Sequence, residues 1–105
     1  MKSHWGATMA KVKIKVTRED KANVDRSFIL IDDRVLPFEN SDEINIYVEA
    51  DVEHSITVYC QGPRDANTTA KVERATGKVI EPLTAIVKND YGVSHASDVF
   101  TVKAA

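Results

Sequence analysis

The chain has little of several residues that mark particular classes of protein. It contains a single cysteine, Cys60, so no internal disulfide can form and a disulfide-stapled secreted scaffold is excluded. Its glycines are few and scattered, so no glycine-rich loop is present to cradle a phosphate or a dinucleotide. The motifs HExxH, CxxC and GxSxG are missing as well. These absences argue strongly against the corresponding enzyme families but only weakly against enzymes in general.

Charge and hydropathy exclude further classes. A net charge of −2 and a pI near 5.9 give no electrostatic reason to expect binding to nucleic acid or to an anionic membrane. No run approaches the roughly 18 apolar residues of a membrane span. The first residues, MKSHWGATMA, lack the continuous apolar core of a signal peptide. An intracellular, virion-associated or excised-domain origin is compatible with this sequence.

Length and local pattern predict one domain with a short leader. With 105 residues and 43% apolar content, the chain can form one core. Residues 1–9 show no periodicity and include the only tryptophan, Trp5, so we expect a flexible leader with a solvent-exposed indole. The folded domain is expected to comprise residues 10–105.

The first half of the domain alternates between strand and turn patterns. Residues 11–16, KVKIKV, predict a half-buried strand with a lysine-coated outer face, which suits the edge of a sheet. Residues 17–27, TREDKANVDRS, are polar and predict a long connection. The apolar run FILI at 28–31 predicts a central strand, whereas Pro37 confines the strand RVLPF to an edge or ends it there.

The stretch INIYVEADVEHSITVYC, residues 44–60, has apolar residues at nearly every even position. It is too long for one strand of the usual 5 or 6 residues, so the chain must reverse near Asp51 to His54. We expect a β-hairpin with an odd-numbered loop, which keeps the even positions on one face. The alternative is a turn that carries the chain to an opposing sheet.

The second half of the chain predicts further short strands. In KVERATGKVIEP, a three-residue loop at 75–77 places Gly77 at a positive φ angle and pairs Val72 with Ile80. LTAIVK and SDVFTVK follow as strands, with turn chemistry at Asn89 to Gly92. The predicted fold is therefore all-β, an antiparallel two-sheet sandwich of seven or eight short strands, with an immunoglobulin-like arrangement as the favoured member of that class. The two-cysteine-plus-tryptophan hallmark of antibody domains is absent.

No catalytic or metal site is expected. Cys60 and His54 resemble a nucleophile and a base, but the hairpin separates them by six residues, and Cys60 is expected to be buried. None of the three histidines has a second ligand at metal-binding spacing, and we expect them to be solvent-exposed or in loops. Two carboxylate clusters lack the glycine and Asx residues of a calcium loop and are expected to be solvated loop charge. The clusters are Glu39, Asp42 and Glu43, and Glu49, Asp51 and Glu53.

One surface remains as a candidate binding site. In the expected hairpin, Tyr47 and Tyr59 share an outward face with Asn45 and Thr57, and this face would suit a protein partner or a carbohydrate. The favoured function is a non-enzymatic binding or assembly module that acts through a sheet face or edge and needs no cofactor. It would bind another protein or a carbohydrate, with weak homo-oligomerisation possible in principle. The alternatives are a small-ligand or carbohydrate binder that uses both tyrosines, and a small hydrolase built on the acidic loops.

Overall fold

The structure is a computed structural model that describes residues 10–104. The predicted leader, with Trp5 and His4, lies outside the described residues. Within them the fold is all-β, with no helix. The strands are β1 Lys11–Lys21, β2 Arg26–Ile31, β3 Arg34–Val35, β4 Glu43–Glu49, β5 Glu53–Pro63, β6 Asn67–Arg74, β7 Gly77–Lys78, β8 Leu83–Ile86 and β9 Tyr91–Thr101.

The strands form two antiparallel sheets that pack against each other. The first sheet has the order β4-β1-β6-β7, with β8 also paired to β6, and the second has the order β3-β2-β5-β9. Alternate residues of each strand point into the shared core, as the period of two requires. Both sheets contribute fully buried side chains: Ile14, Val16 and Val72 from the first, and Ile29, Ile56 and Val58 from the second.

Strand β1 differs from its prediction in position and in length. It lies between β4 and β6 rather than at the edge of the sheet, but β6 pairs only with residues 15–21, so Lys11 and Lys13 lie on a stretch that is paired on one side alone. It also continues through residues 17–21, which were expected to be a loop. The hydrophobicity pattern does not predict this extension, because polar residues occupy inward positions there. Arg18 lies over the Phe38 ring at 4.7 Å, and Asp20 accepts a 2.6 Å hydrogen bond from Thr68.

The predicted hairpin between residues 44 and 60 is wrong. Strand β4 pairs with β1 in the first sheet, whereas β5 pairs with β2 and β9 in the second. The intervening turn crosses between the sheets, with Asp51 at φ 64° and its amide bonded to the carbonyl of Val102. The alternative of a sheet-crossing turn is therefore the correct one. The even-numbered residues of both strands still point into the core, because the two strands lie in opposite sheets with that core between them.

Other predictions are confirmed, with one change of register. Strand β2 is central, between β3 and β5, and β3 lies at an edge and ends before Pro37. The β6–β7 hairpin forms with Gly77 at φ 139°. However, Arg74 pairs with Gly77, so the loop has two residues rather than three, and Val72 bonds to Val79 instead of Ile80.

Candidate interaction face

The two tyrosines of the predicted site lie on opposite sides of the molecule. Tyr47 is on β4 and points outward from the first sheet, whereas Tyr59 is on β5 and points outward from the second. Asn45 accompanies Tyr47, and Thr57 accompanies Tyr59. The single face that was predicted from these four residues does not form, because the turn at Asp51 separates the strands that carry them.

The outer face of the first sheet is strongly charged. Tyr47 stands opposite Lys13, and Asn45 stands opposite Lys15, which forms a 3.8 Å ion pair with Glu73. The outward positions of β1, β4 and β6 carry charges of both signs along their whole length. These charged residues are Lys11, Lys13, Lys15, Glu19, Lys21, Glu43, Glu49, Lys71 and Glu73.

The outer face of the second sheet has the opposite character. We call the outward positions of β2, β5 and β9 the apolar face. On β2 these positions are Arg26, Phe28 and Leu30, and on β5 they are Glu53, Ser55, Thr57, Tyr59, Gln61 and Pro63. On β9 they are Tyr91, Val93, His95, Ser97, Val99 and Thr101. At its centre Phe28, Tyr59 and His95 form one cross-strand row, with the Tyr59 and His95 rings 5.7 Å apart. The acidic and basic side chains of this face are Arg26 at one end and Glu53 at the other.

Exposed hydrophobic side chains concentrate on the second sheet. Of the large apolar residues that remain exposed, only Tyr47 and Ile86 belong to the first sheet among residues 10–104. Val93 is 63% exposed and Val99 is 50% exposed, although valine is usually buried. The others on the second sheet are Phe28, Val35, Tyr59 and Tyr91. Phe28, Tyr59, Val93 and Tyr91 lie in adjacent rows, and exposed apolar residues grouped in this way indicate an interaction surface.

A polar network closes one end of the apolar face. The Tyr91 hydroxyl donates a 2.5 Å hydrogen bond to the Asp25 carboxylate and accepts a 3.3 Å bond from the Gln61 amide. The bond to Asp25 favours the protonated phenol and raises the pKa of Tyr91. Beside it, Phe28, Tyr59, Gln61 and other residues line a shallow groove of about 190 Å³. The network fixes the orientation of the Tyr91 ring at the rim.

His54 is buried, in contrast to the predicted exposed or loop position. Its Nδ1 bonds to the Asp32 carboxylate at 2.7 Å, and its Nε2 bonds to the Glu49 carbonyl at 2.7 Å. Because a carbonyl oxygen and an ionised carboxylate only accept hydrogen bonds, this geometry favours the imidazolium form, in which both ring nitrogens donate. We call this arrangement the His54 clamp. It connects the end of β4 in the first sheet to the β2–β3 turn of the second.

The clamp shifts the protonation of both partners. Burial lowers the pKa of His54, but the hydrogen bonds to Glu49 and Asp32 outweigh it, and the pKa is raised. Burial raises the pKa of Asp32, but the bonds from His54 and from the Ser55 amide, at 3.0 Å, outweigh it, and this pKa is lowered. The charged forms of both groups are thereby favoured. This arrangement joins two sheets, and no nucleophile is hydrogen-bonded to it.

The remaining predicted chemistry does not assemble into a site. Cys60 is fully buried, as predicted, and the hydrogen bonds of the His54 ring go to Asp32 and Glu49, so the two residues form no nucleophile–base pair. Within residues 10–104, no three His, Cys, Asp or Glu side chains come close enough to hold a metal ion. The same part of the chain contains no helix long and apolar enough to cross a membrane.

Sequence reasoning missed most residues of the apolar face. Val93, His95 and Val99 lie in YGVSHASDVF, where alternation is visible but small inward residues such as Ala96 obscure which parity is buried. Phe28 lies in the run FILI, which has no polar face to indicate its outward side. One signal could have identified Phe28. If the strand FILI lies beside the strand of Tyr59, Phe28 is exposed next to that tyrosine.

Comparisons of this chain with protein-family models, with curated proteins and with solved structures gave no match.

Proposed function

We propose that this chain is a non-enzymatic, immunoglobulin-like β-sandwich module that binds or assembles with another protein through the apolar face. The observation that carries the proposal is the segregation of exposed apolar side chains onto one sheet, while the other sheet carries the charge. Protein partners recognise such surfaces by burying aromatic and aliphatic side chains within a polar rim.

The strand order supports the immunoglobulin-like part of this proposal. In that fold one sheet contains strands C, F and G, with C′ added in variable-type domains, and the other contains strands A, B, E and D. The order β3-β2-β5-β9 corresponds to C′-C-F-G, and β4-β1-β6 corresponds to E-B-A. There are two differences: among residues 10–104 no strand takes the position of D beside β4, and strands β6 to β8 follow F in the chain, so the position of strand A is occupied by a segment inserted between F and G.

The shape of the apolar face favours a protein over a small ligand, whereas the larger clefts, of about 480 and 420 Å³, lie away from this face beside Asn45 and Tyr47. Small-molecule sites are concave and usually enclose about 300–1,000 Å³. The groove beside Tyr59 measures about 190 Å³, and the apolar face continues along the full length of β5 and β9. A carbohydrate site that uses Tyr47 together with Tyr59 has no common face on which to form.

The face is better suited to docking than the adjacent edge. Strand β9 lies at the edge of the second sheet, but Asp98 sits there at an inward position, opposite the buried Ile56. A charge at an inward position of an edge strand discourages another strand from adding to the sheet. We therefore place the binding surface on the face, with Tyr59 near its centre and Val93 toward the end that the Tyr91 network closes.

Site-specific photo-crosslinking tests this function. The full chain, with a photoreactive phenylalanine analogue at position 93, should capture a protein that the same analogue at position 13 does not. The captured protein is then identified, purified and titrated. Tyr59→Ala should weaken its binding by about 30-fold or more, as expected for an anchor residue, whereas Tyr47→Ala should leave binding unchanged.

Two outcomes would contradict the proposal. The first is that no saturable partner is captured from position 93. The second is that the captured protein binds the Tyr59→Ala variant as well as it binds the unaltered chain and loses affinity for the Tyr47→Ala variant. In that case the charged face of the first sheet would be the binding surface.

A further inference from the structure

We infer that the apolar face docks onto a second copy of this chain, across a twofold axis that reverses the direction of the strands. This inference rests on the proposed function, because it names the partner for the same face. Two sheets that pack face to face keep their strands within about 30° of each other, so rows of outward side chains on the two copies can meet. An isologous dimer requires that the face be complementary to itself.

The pattern of side chains meets this requirement. The centre of the face lies between the row of Phe28, Tyr59 and His95 and the row of Leu30, Thr57 and Ser97. Reversing the strands about this centre places five of the outward residues over residues of comparable size or polarity in the other copy. The resulting pairs are Phe28 with Leu30, Tyr59 with Thr57, Gln61 with Ser55, Val93 with Val99, and His95 with Ser97.

Charge favours the same orientation. Arg26 lies beside Gln61 at one end of the face, and Glu53 lies at the other end of β5. A parallel arrangement would bring Glu53, on the central strand β5, close to its own counterpart. The reversed arrangement instead brings Arg26 of one copy toward Glu53 of the other, twice in the dimer. The net charge of −2 adds little repulsion between copies.

The size of the face predicts a weak dimer. The β5–β9 ladder contains 11 residue pairs, and strands of that length span about 37 Å. With three strands spaced about 4.8 Å apart, each copy would contribute roughly 500 Å². The total of roughly 1,000 Å² is at the lower limit for a specific interface. We expect a dissociation constant of about 10–100 µM.

Sedimentation equilibrium of the full chain tests the inference. Between about 10 µM and 1 mM, the apparent mass should rise from 11.7 kDa toward twice that value. Val93→Lys and Val99→Lys should each raise the dissociation constant by about 30-fold or more. Tyr47→Lys makes the same change at an exposed position of the other sheet and should leave the dissociation constant unchanged. Circular dichroism on each variant verifies that it remains folded.

A charge exchange tests the orientation. Arg26→Glu and Glu53→Arg should each weaken the dimer, and the double variant should recover affinity because the pair forms between copies. Failure of the double variant to recover overturns the reversed-strand arrangement. A chain that stays monomeric at 1 mM, or a dimer unaffected by Val93→Lys, overturns self-docking altogether. Those results leave the photo-crosslinking experiment able to support or contradict the proposed function on its own.

Discussion

The outer faces of the two sheets differ sharply, although their inner faces are alike. Both inner faces are built mainly from valine, isoleucine and alanine, and each contributes fully buried side chains to the core. The outer face of the first sheet carries lysines and glutamates, whereas the apolar face of the second carries aromatic residues and exposed valines. Core formation therefore explains the residues at the inward positions of each strand but not those at the outward positions.

This difference indicates which of the two outer faces we expect to have a role beyond folding. A lysine-coated outer face keeps a sheet soluble and needs no partner. Val93 and Val99 are exposed and do not contribute to the core. Covering their side chains with another surface would remove apolar area from water, which is favourable. The two faces thus separate a surface that remains in water from one that would gain from being covered.

The largest expected effect is on the labelling rate of the Cys60 thiol, which tests which positions of β5 face the core. Cys60 is fully buried beside outward Tyr59, so its thiol should react with a thiol reagent only after the chain opens. Native labelling should be at least about a thousand-fold slower than labelling in denaturant, as expected for a typical domain stability. Stopped-flow or mass-spectrometric labelling measures this ratio. Rapid native labelling would show that β5 slips in register.

Core truncations should affect the two sheets equally. Ile14→Ala in the first sheet and Ile56→Ala in the second each remove a fully buried side chain, so each should lower the free energy of unfolding by about 2–5 kcal/mol. Lys13→Ala and Thr57→Ala, one position away, serve as outward controls and should change it by about 0.5 kcal/mol or less. Denaturant unfolding measures all four. A small loss in only one of the sheets would show that its inner face is not part of a common core.

The alternation of apolar residues predicted the strands well because a period of two is a local property. FILI, KVKIKV and the 44–60 segment all form strands, and Cys60 has the predicted burial. The pairing of strands could not be predicted in the same way. A hairpin and a sheet-crossing turn at Asp51 give the same parity of buried residues in β4 and β5, since both strands face one core.

The candidate site depended on pairing and was therefore predicted less well than the strands. Tyr59 was identified as outward, but its neighbours Phe28 and His95 come from strands that are distant in sequence. The extension of β1 was missed because Arg18 and Asp20 occupy inward positions and are accommodated by Phe38 and Thr68. These long-range partners leave no periodic trace in the sequence.

Loosening the His54 clamp should weaken the connection between the two sheets. His54→Gln removes the charged hydrogen bond to Asp32, so we expect a loss of about 2 kcal/mol in the free energy of unfolding near pH 6. His95→Gln, at an exposed position on the second sheet, is the matched control and should cost about 1 kcal/mol or less, because it loses only the cross-strand contact with the Tyr59 ring. Urea unfolding of both variants compares them. Equal losses would show that the clamp contributes nothing beyond an ordinary surface histidine.

The clamp should also make stability depend on pH in a defined direction. The raised pKa of His54 means that its contribution is complete below about pH 6.5 and is lost as pH rises through the folded-state value. The lowered pKa of Asp32 means that its contribution is complete above about pH 3.8 and is lost as pH falls through the folded-state value. Glu49 and Arg34 also face these groups and favour their charged forms. Unfolding measured from pH 5 to 9 should show a decline that His54→Gln abolishes and His95→Gln retains.

The smallest expected effect separates the two outward tyrosines. Tyr59 is 39% exposed and packs beside Phe28 and the His95 ring, whereas Tyr47 is 65% exposed beside Lys13. Tyr59→Ala should therefore lower the free energy of unfolding by about 1 kcal/mol, the size of an aromatic cross-strand interaction, and Tyr47→Ala by about 0.5 kcal/mol or less. Urea denaturation below the concentration at which the chain associates measures the difference on the monomer alone. A loss of several kcal/mol from Tyr59→Ala would place this tyrosine in a core, and the apolar face would then be a structural surface. A small loss, combined with impaired docking, would separate the role of Tyr59 in binding from its role in the fold.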